Sequence, residues 1–479
     1  MFKTKPRFKA KPRERYLFTS RRKKSRQKKL TFFWVMVSGA LSILVIELVT
    51  RIFVDITGER AQFTEQQSDI SINDTYQLQF TSETATEDSD LVGLKAQRAL
   101  SVGYQLLSNQ SSPYWQINQQ GFRDSESIPV AKPQGEVRIF ILGGSTAFGY
   151  GSGSNNAAIA EALEQRLGQR LQQQKNSPQA YKPDVLPADP ADRATALKKP
   201  SKLRTANYRV INAAVPGYSS GNQLAQLALE ITKYQPDLIV VLNGYEDLML
   251  SGTEKATQIP RTEEYLDDAS SYLAASLNRF LEPIQTKSYV VQMLQNSVLK
   301  QPDPNQETLI VGTKTGQELA EIAPQDKAEL QRRIDRYFAN HKQIVNLATG
   351  ANAKVIFATQ PEITGRNPSK LTPTEGEIVT QLGRKYIQTI KENYPRFVGA
   401  NNYVAKLYPK QVKSLDLYNL SDKYPSPSFT DAVHLTEPAN AMVAEQLYYA
   451  IAAFPEMQLV PKAAPKPKKV EQKTPKTDS

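Results

Sequence analysis

The chain has 479 residues, 40% of them hydrophobic, enough to enclose a sizeable core. Its net charge of +12 sits at the two ends: residues 1–30 carry +13 and residues 462–479 carry +4, which leaves −5 for the body. An acidic body with basic ends argues against a nucleic-acid-binding domain, and the lack of cysteine excludes disulfides, thiolate catalysis and cysteine metal sites.

Residues 1–30 form a basic arm. The run "TFFWVMVSGALSILVIELVT", Thr31 to Thr50, follows directly and is uncharged from Thr31 to Ile46. With its apolar flank it reaches the ~20 residues that cross a bilayer core. A Lys/Arg cluster before the first span holds the N-terminus in the cytoplasm and touches anionic lipid. The apolar run is long for a cleaved signal peptide, and no Ala-x-Ala-like site follows it. The expectation is one transmembrane signal anchor over 31–50, with the main domain outside the cytoplasm, in the periplasm or its equivalent. Residues 51–133 are polar and read as a stalk with some strand, "YWQINQQGFRD" (Tyr114–Asp124) being the most structured part.

From 134 to 456 strand and helix signals alternate. "VRIFIL" (Val137–Leu142), "YRVINAAV" (Tyr208–Val215), "DLIVVLNG" (Asp237–Gly244) and "AKVIFATQP" (Ala353–Pro361) read as strands. Helices are predicted over Asn156–Gln174, Lys327–Thr349 with Gly350 as its C-cap, Thr374–Asn393 and Glu437–Ala453. The alternation predicts an α/β fold, a three-layer doubly wound parallel sheet of the flavodoxin-like kind. Two insertions interrupt it: 175–206, rich in Pro, Lys and Gln and read as mobile, and 249–324, a candidate lid. Residues 457–479 read as a disordered Pro/Lys-rich tail.

In such sheets ligands bind beyond the carboxyl ends of the strands, so chemistry is sought there. The first strand ends in Gly143-Gly144-Ser145-Thr146, the second in Pro216-Gly217-Tyr218, the third in Asn243-Gly244-Tyr245-Glu246-Asp247. Near the C-terminus Asp431 precedes His434 by three residues, just before the last helix. Taken singly, the Gly143–Thr146 stretch is an ordinary strand-to-helix turn, Asp431 a cap and His434 a turn histidine. No G-K-[ST] follows Gly144, which argues against a nucleotide P-loop. The other histidine, His341, lies mid-helix and reads as a packing or surface residue. No recognised metal spacing and no dinucleotide fingerprint is present, so no cofactor is expected.

Together the four elements, in this order, resemble the SGNH hydrolase superfamily of GDSL-type esterases and lipases over roughly Val137–Ala453. Gly121-Phe122-Arg123 before the first strand is similar to the membrane-anchored bacterial members. The resemblance implies an ester hydrolase with a Ser-His-Asp triad. Ser145 attacks, His434 takes its proton and Asp431 fixes the imidazole tautomer. It also implies an oxyanion hole of the Ser145 and Gly217 N–H groups plus a side-chain amide in the third-strand G-x-N-D. Here that position is Glu246. An ionised carboxylate cannot donate and repels an oxyanion. Three readings stay open: Glu246 is protonated and donates, Asn243 substitutes for it, or the site is weak or dead. The substrates implied by location are O-acyl groups on envelope glycans or lipids. The alternatives are an O-acyltransferase using the same triad, and a degenerate SGNH-fold binding or scaffold module of the envelope.

Overall fold

A computed structural model describes residues 72–80, 93–99, 102–250, 314–424 and 426–463. The basic arm, the apolar run at 31–50, most of the 249–324 insertion and the tail from 464 lie outside the described residues. Among the described residues no helix is long and apolar enough to cross a membrane.

Five parallel strands form the central sheet: β1 Glu136–Gly143, β2 Asn207–Asn212, β3 Leu238–Asn243, β4 Lys354–Thr359 and β5 Val412–Asp416, in the order β5-β4-β3-β1-β2. Each predicted strand is present, and β5 is an additional edge strand. Alternation along each strand divides the core in two. Ile139, Ile141, Val240, Leu242 and Ile356 face one helical layer, while Phe140, Leu142, Ile239, Val241 and Phe357 face the other. Burial on both faces is why β3 reads as an unbroken apolar run.

Between β1 and β2 lie α1 (Ser145–Phe148) and α2 (Ile159–Asn176); α3 (Ser220–Gln226) follows β2 and α4 (Tyr245–Met249) follows β3. Further on come α5 (Lys327–Gly350), α6 (Pro373–Asn393), α7 (Pro395–Leu407) and α8 (Glu437–Ala452). Leu163 and Leu167 of α2 pack with Val443, Leu447 and Ile451 of α8 on one face. Ile344, Val345 and Ala348 of α5 pack with Leu224 and Val404 on the other. Gly350 stays inside α5; the left-handed residue that ends the turn is Asn352, at φ 58°. The chain leaves β1 toward β2 and returns past β1 to β3, so the connections leaving the paired β1 and β3 ends run in opposite directions, the reversal at which such sheets bind ligands.

Three boundaries differ from expectation. The described part of the predicted stalk packs into the main body: Tyr76, Leu94, Trp115 and Ile117 share a core with Ile139 and Phe148. Trp115 Nε1 also donates to Thr75 O at 2.8 Å. The 175–206 insertion is folded and not loose. It holds a helix over Pro190–Lys198, whose N-terminus is capped by the Asp189 carboxylate. The start of the predicted tail is pinned to it by backbone bonds Leu186 N–H to Lys462 O (2.9 Å) and Leu459 N–H to Lys202 O (2.9 Å). Composition predicts looseness there because few apolar residues are present; backbone pairing supplies the order.

Candidate active site

The end of β1 is built for close approach. A Cβ on Gly143 would lie 2.3 Å from Leu242 O, and one on Gly144 would lie 1.9 Å from Glu246 Oε1. A side chain at Gly143 would displace the β3 backbone, and one at Gly144 would displace the buried Glu246 carboxyl. The chain then turns through α1 and closes at Gly149, φ 85°, whose N–H reaches Ser145 O and Thr146 O. Ser145 is thereby held at the mouth of the crevice. It is buried, and its Oγ makes no hydrogen bond with any described residue.

The Asp431–His434 turn comes to the same place. Asp431 Oδ1 accepts the N–H groups of Val433 (2.9 Å) and His434 (2.8 Å), and Oδ2 faces His434 Nδ1 at 2.5 Å. Burial alone would raise the Asp431 carboxyl. The His434 ring and the two backbone donors outweigh it and hold the group below its ordinary range. Nδ1 then carries the ring hydrogen, and Nε2 presents a lone pair. Nε2 is buried and has no partner among the described residues. Thr146 Oγ1 donates to Val433 O at 3.1 Å, joining the residue after Ser145 to the residue before His434. Gln360 Nε2, beyond β4, donates to Thr146 Oγ1 at 3.0 Å.

Gly217 occupies the turn after β2 at φ 84°. The β2 extension is tied to β1 by Val215 N–H to Gly143 O (3.1 Å), and Tyr104 OH braces Pro216 O at 2.6 Å. Glu246, on α4, is buried against Gly144. Burial, then the charge of Asp247, pushes its carboxyl up to about 8, against the pull of the N–H groups of Glu246 and Ser145. Its Oε2 is unpartnered among the described residues. The shift favours the neutral acid form, which carries an O–H.

Asn243 does not supply the missing donor. As the last residue of β3 it shares a face with Val241 and points toward α5. Its Nδ2 donates to Gln223 Oε1 at 2.7 Å and contacts His341 Nε2 at 3.1 Å, and its Oδ1 accepts from Tyr337 OH at 2.8 Å. His341 is a packing residue, stacked on Phe357 with centroids 4.0 Å apart, and burial pushes it down to about 3. Asp247 ties α4 to α3 by accepting from Ser220 N (2.9 Å) and Ser220 Oγ (2.5 Å).

Several supports lie outside the four strand-end and C-terminal motifs; in the sequence Arg123 stands out only as part of Gly121-Phe122-Arg123. Arg123 is fully buried; its Nη1 donates to Phe148 O (2.9 Å) and Gly149 O (2.7 Å), capping the end of α1. Arg366 reaches Glu375 Oε1 (3.2 Å), Ser428 Oγ (2.9 Å) and Tyr424 O (2.7 Å), anchoring the segment that leads to Asp431. Tyr150 stacks on His434. Among the described residues no group of three His, Asp or Glu is arranged to hold a metal ion.

The family model for GDSL-like lipases and acylhydrolases matches residues 139–447. Solved structures similar to this chain include a lipase/acylhydrolase from Enterococcus faecalis, at 12% identity, covering 66% of this chain and 95% of that one, with a TM-score of 0.30. Another is a mutant acetyl-xylooligosaccharide esterase from Geobacillus Stearmophilus, at 12% identity, covering 65% and 93%, with a TM-score of 0.32. A third is an acetyl xylan esterase, at 11% identity, covering 66% and 100%, with a TM-score of 0.31. No protein of curated function matches the chain.

Proposed function

We propose, for a chain that belongs to the GDSL-like lipase/acylhydrolase family, that the esterase-like activity of that family is carried by Ser145, His434 and Asp431. The observation behind this assignment is a pair of buried, unpartnered atoms, Ser145 Oγ and His434 Nε2, on two segments joined by the Thr146–Val433 hydrogen bond. Burying a hydroxyl and a ring nitrogen without partners costs about 1–3 kcal/mol each. A site that keeps both atoms free for substrate accounts for that cost.

In the reaction, Ser145 Oγ adds to the ester carbonyl as its proton passes to His434 Nε2. The imidazolium, balanced by Asp431, gives that proton to the departing alkoxide, leaving an acyl-serine. Water, deprotonated by the same nitrogen, then releases the acid and restores Ser145. The carbonyl oxygen, negative in each transition state, takes donors from Gly217 N–H and the protonated Glu246, and from Ser145 N–H as it turns from the Glu246 carboxyl to the oxyanion. Protonation resolves the conflict of a carboxyl in an amide's place: the acid donates and carries no charge.

The basic arm and the Thr31–Thr50 run support a single-pass anchor in the cytoplasmic membrane, with the catalytic domain outside the cytoplasm. That location suggests O-acyl esters of envelope glycans or lipids as substrates, with transfer to a sugar hydroxyl as a variant of the same chemistry. A second reading, a binding module that has lost turnover, is favoured by Glu246 alone. Hydrolysis of a short-chain aryl acetate by the full chain in detergent, compared with Glu246→Asn and Ser145→Ala, separates the two. Wild-type turnover that Ser145→Ala abolishes supports the enzyme. Turnover gained only in Glu246→Asn supports the degenerate module.

A further inference from the structure

His434 is held at one edge by Asp431, but a ring fixed at one atom can still swing about that bond. What removes the swing is Tyr150. Its ring lies nearly parallel to the imidazole, with centroids 4.3 Å apart and an interplanar angle of 15°. Behind it the Tyr76 ring packs at 5.1 Å, and the Tyr150 hydroxyl donates to Asn73 O at 3.3 Å. Tyr76 is itself fixed: its hydroxyl donates to Ser152 O at 2.5 Å and accepts from Arg123 Nη2 at 2.9 Å. The order is therefore Arg123, Tyr76, Tyr150, His434, with the helix Ile72–Tyr76 as the backstop.

We propose that Tyr150, clamped from behind by the Ile72–Tyr76 helix, is a positioning residue for His434, setting the imidazole plane and stabilising the imidazolium formed during turnover. The proposal rests on the reading of Ser145 and His434 as nucleophile and base. An aromatic face attracts a cation lying over it. The other titratable groups around the stack are Asp431 on the histidine's own turn, Asp74 and Tyr76 behind Tyr150, Glu437 near Tyr76, and Glu246 on the far side of Ser145. Burial, then the charge of Asp431, holds the Tyr150 hydroxyl above its ordinary range, so it remains a neutral phenol and takes no proton from the reaction. It follows that the segment around 72–76 is part of the active-site scaffold and not a spacer.

The test is aryl acetate hydrolysis by the full chain between pH 4.5 and 9, with kcat and KM resolved for wild type, Tyr150→Leu and Tyr150→Phe. Tyr150→Leu fills the space but removes the ring face. It is expected to lower kcat roughly 10- to 100-fold with KM unchanged. It is also expected to move the acid limb of kcat/KM to lower pH by about half a unit or more, because the cation loses its partner. Tyr150→Phe keeps the ring and most of kcat. If Tyr150→Leu does not fold, Tyr76→Leu carries the test, since it frees the back of Tyr150: kcat falls at constant KM, or the inference fails. A Tyr150→Leu enzyme with wild-type kcat and acid limb overturns the inference while leaving the triad intact, as does a Tyr150→Phe enzyme equally damaged. A wild type no faster than Ser145→Ala removes the nucleophile-and-base reading and this inference with it.

Discussion

Ionisation of Glu246 offers a sharp perturbation of the proposed oxyanion hole. Burial pushes this carboxyl up to about 8. The acid form is therefore about nine-tenths populated at pH 7 and about one-tenth at pH 9. With Glu246 as the proposed acid donor the active form is the protonated one, so kcat/KM is expected to be highest below about 8 and to fall about tenfold per pH unit above it. Ionisation removes a donor, which is worth about 10²–10³ in rate, and places a negative charge beside the developing oxyanion. The fall therefore continues to a floor at least about 10²-fold down. Glu246→Gln presents an amide donor at every pH, and its profile is expected to stay level where the wild type declines. The assay is initial-rate hydrolysis of an aryl acetate from pH 6 to 10, with the Ser145→Ala rate subtracted for alkaline background. A wild-type profile that is flat to pH 10, or an identical decline in Glu246→Gln, would refute the reasoning.

Three further outcomes are expected. Asp431→Asn removes the acceptor that fixes the His434 tautomer and lowers kcat on the order of 10⁴-fold in the same assay, with a circular-dichroism melt to establish that the fold is retained. Gly144→Ala drives a Cβ to 1.9 Å from Glu246 Oε1, so it lowers both the melting temperature and kcat; a variant equal to wild type in both would mean that Glu246 is not packed against the end of β1. Deleting residues 1–50 releases the protein from the membrane fraction after alkaline carbonate extraction, while the full chain stays bound; release of the full chain would sink the anchor.

The strands of the central sheet were legible where both faces are buried. "LIVVLN" has no polar alternation to confuse it. β5 was not legible, because "VKSLD" is an edge strand with Lys413 and Ser414 half-buried, and a short run of that kind carries little pattern. Ser145, Gly217 and the Asp431–His434 pair could be picked out as candidates because their placement depends on local spacing and on strand ends. Asn243 illustrates a rule applied too coarsely. Its place on the third turn suggests a donor, but counting alternate residues back through Val241 and Ile239 puts its side chain on the α5 face. Tyr150 and Arg123 depend on contacts with Tyr76, Phe148 and His434 that no short-range spacing encodes. The fold of 175–206 was hidden for a related reason: the backbone it pairs with lies at residues 459–462, far along the chain.

The account turns on Ser145 as a nucleophile, and covalent capture tests that most directly. The full chain in detergent would be treated with a fluorophosphonate, digested and examined by mass spectrometry, with Ser145→Ala and His434→Ala in parallel. The account predicts one phosphonylated peptide containing Ser145, absent in Ser145→Ala and strongly reduced in His434→Ala. Wild-type protein that remains unlabelled, or that is labelled equally well without His434, would contradict it.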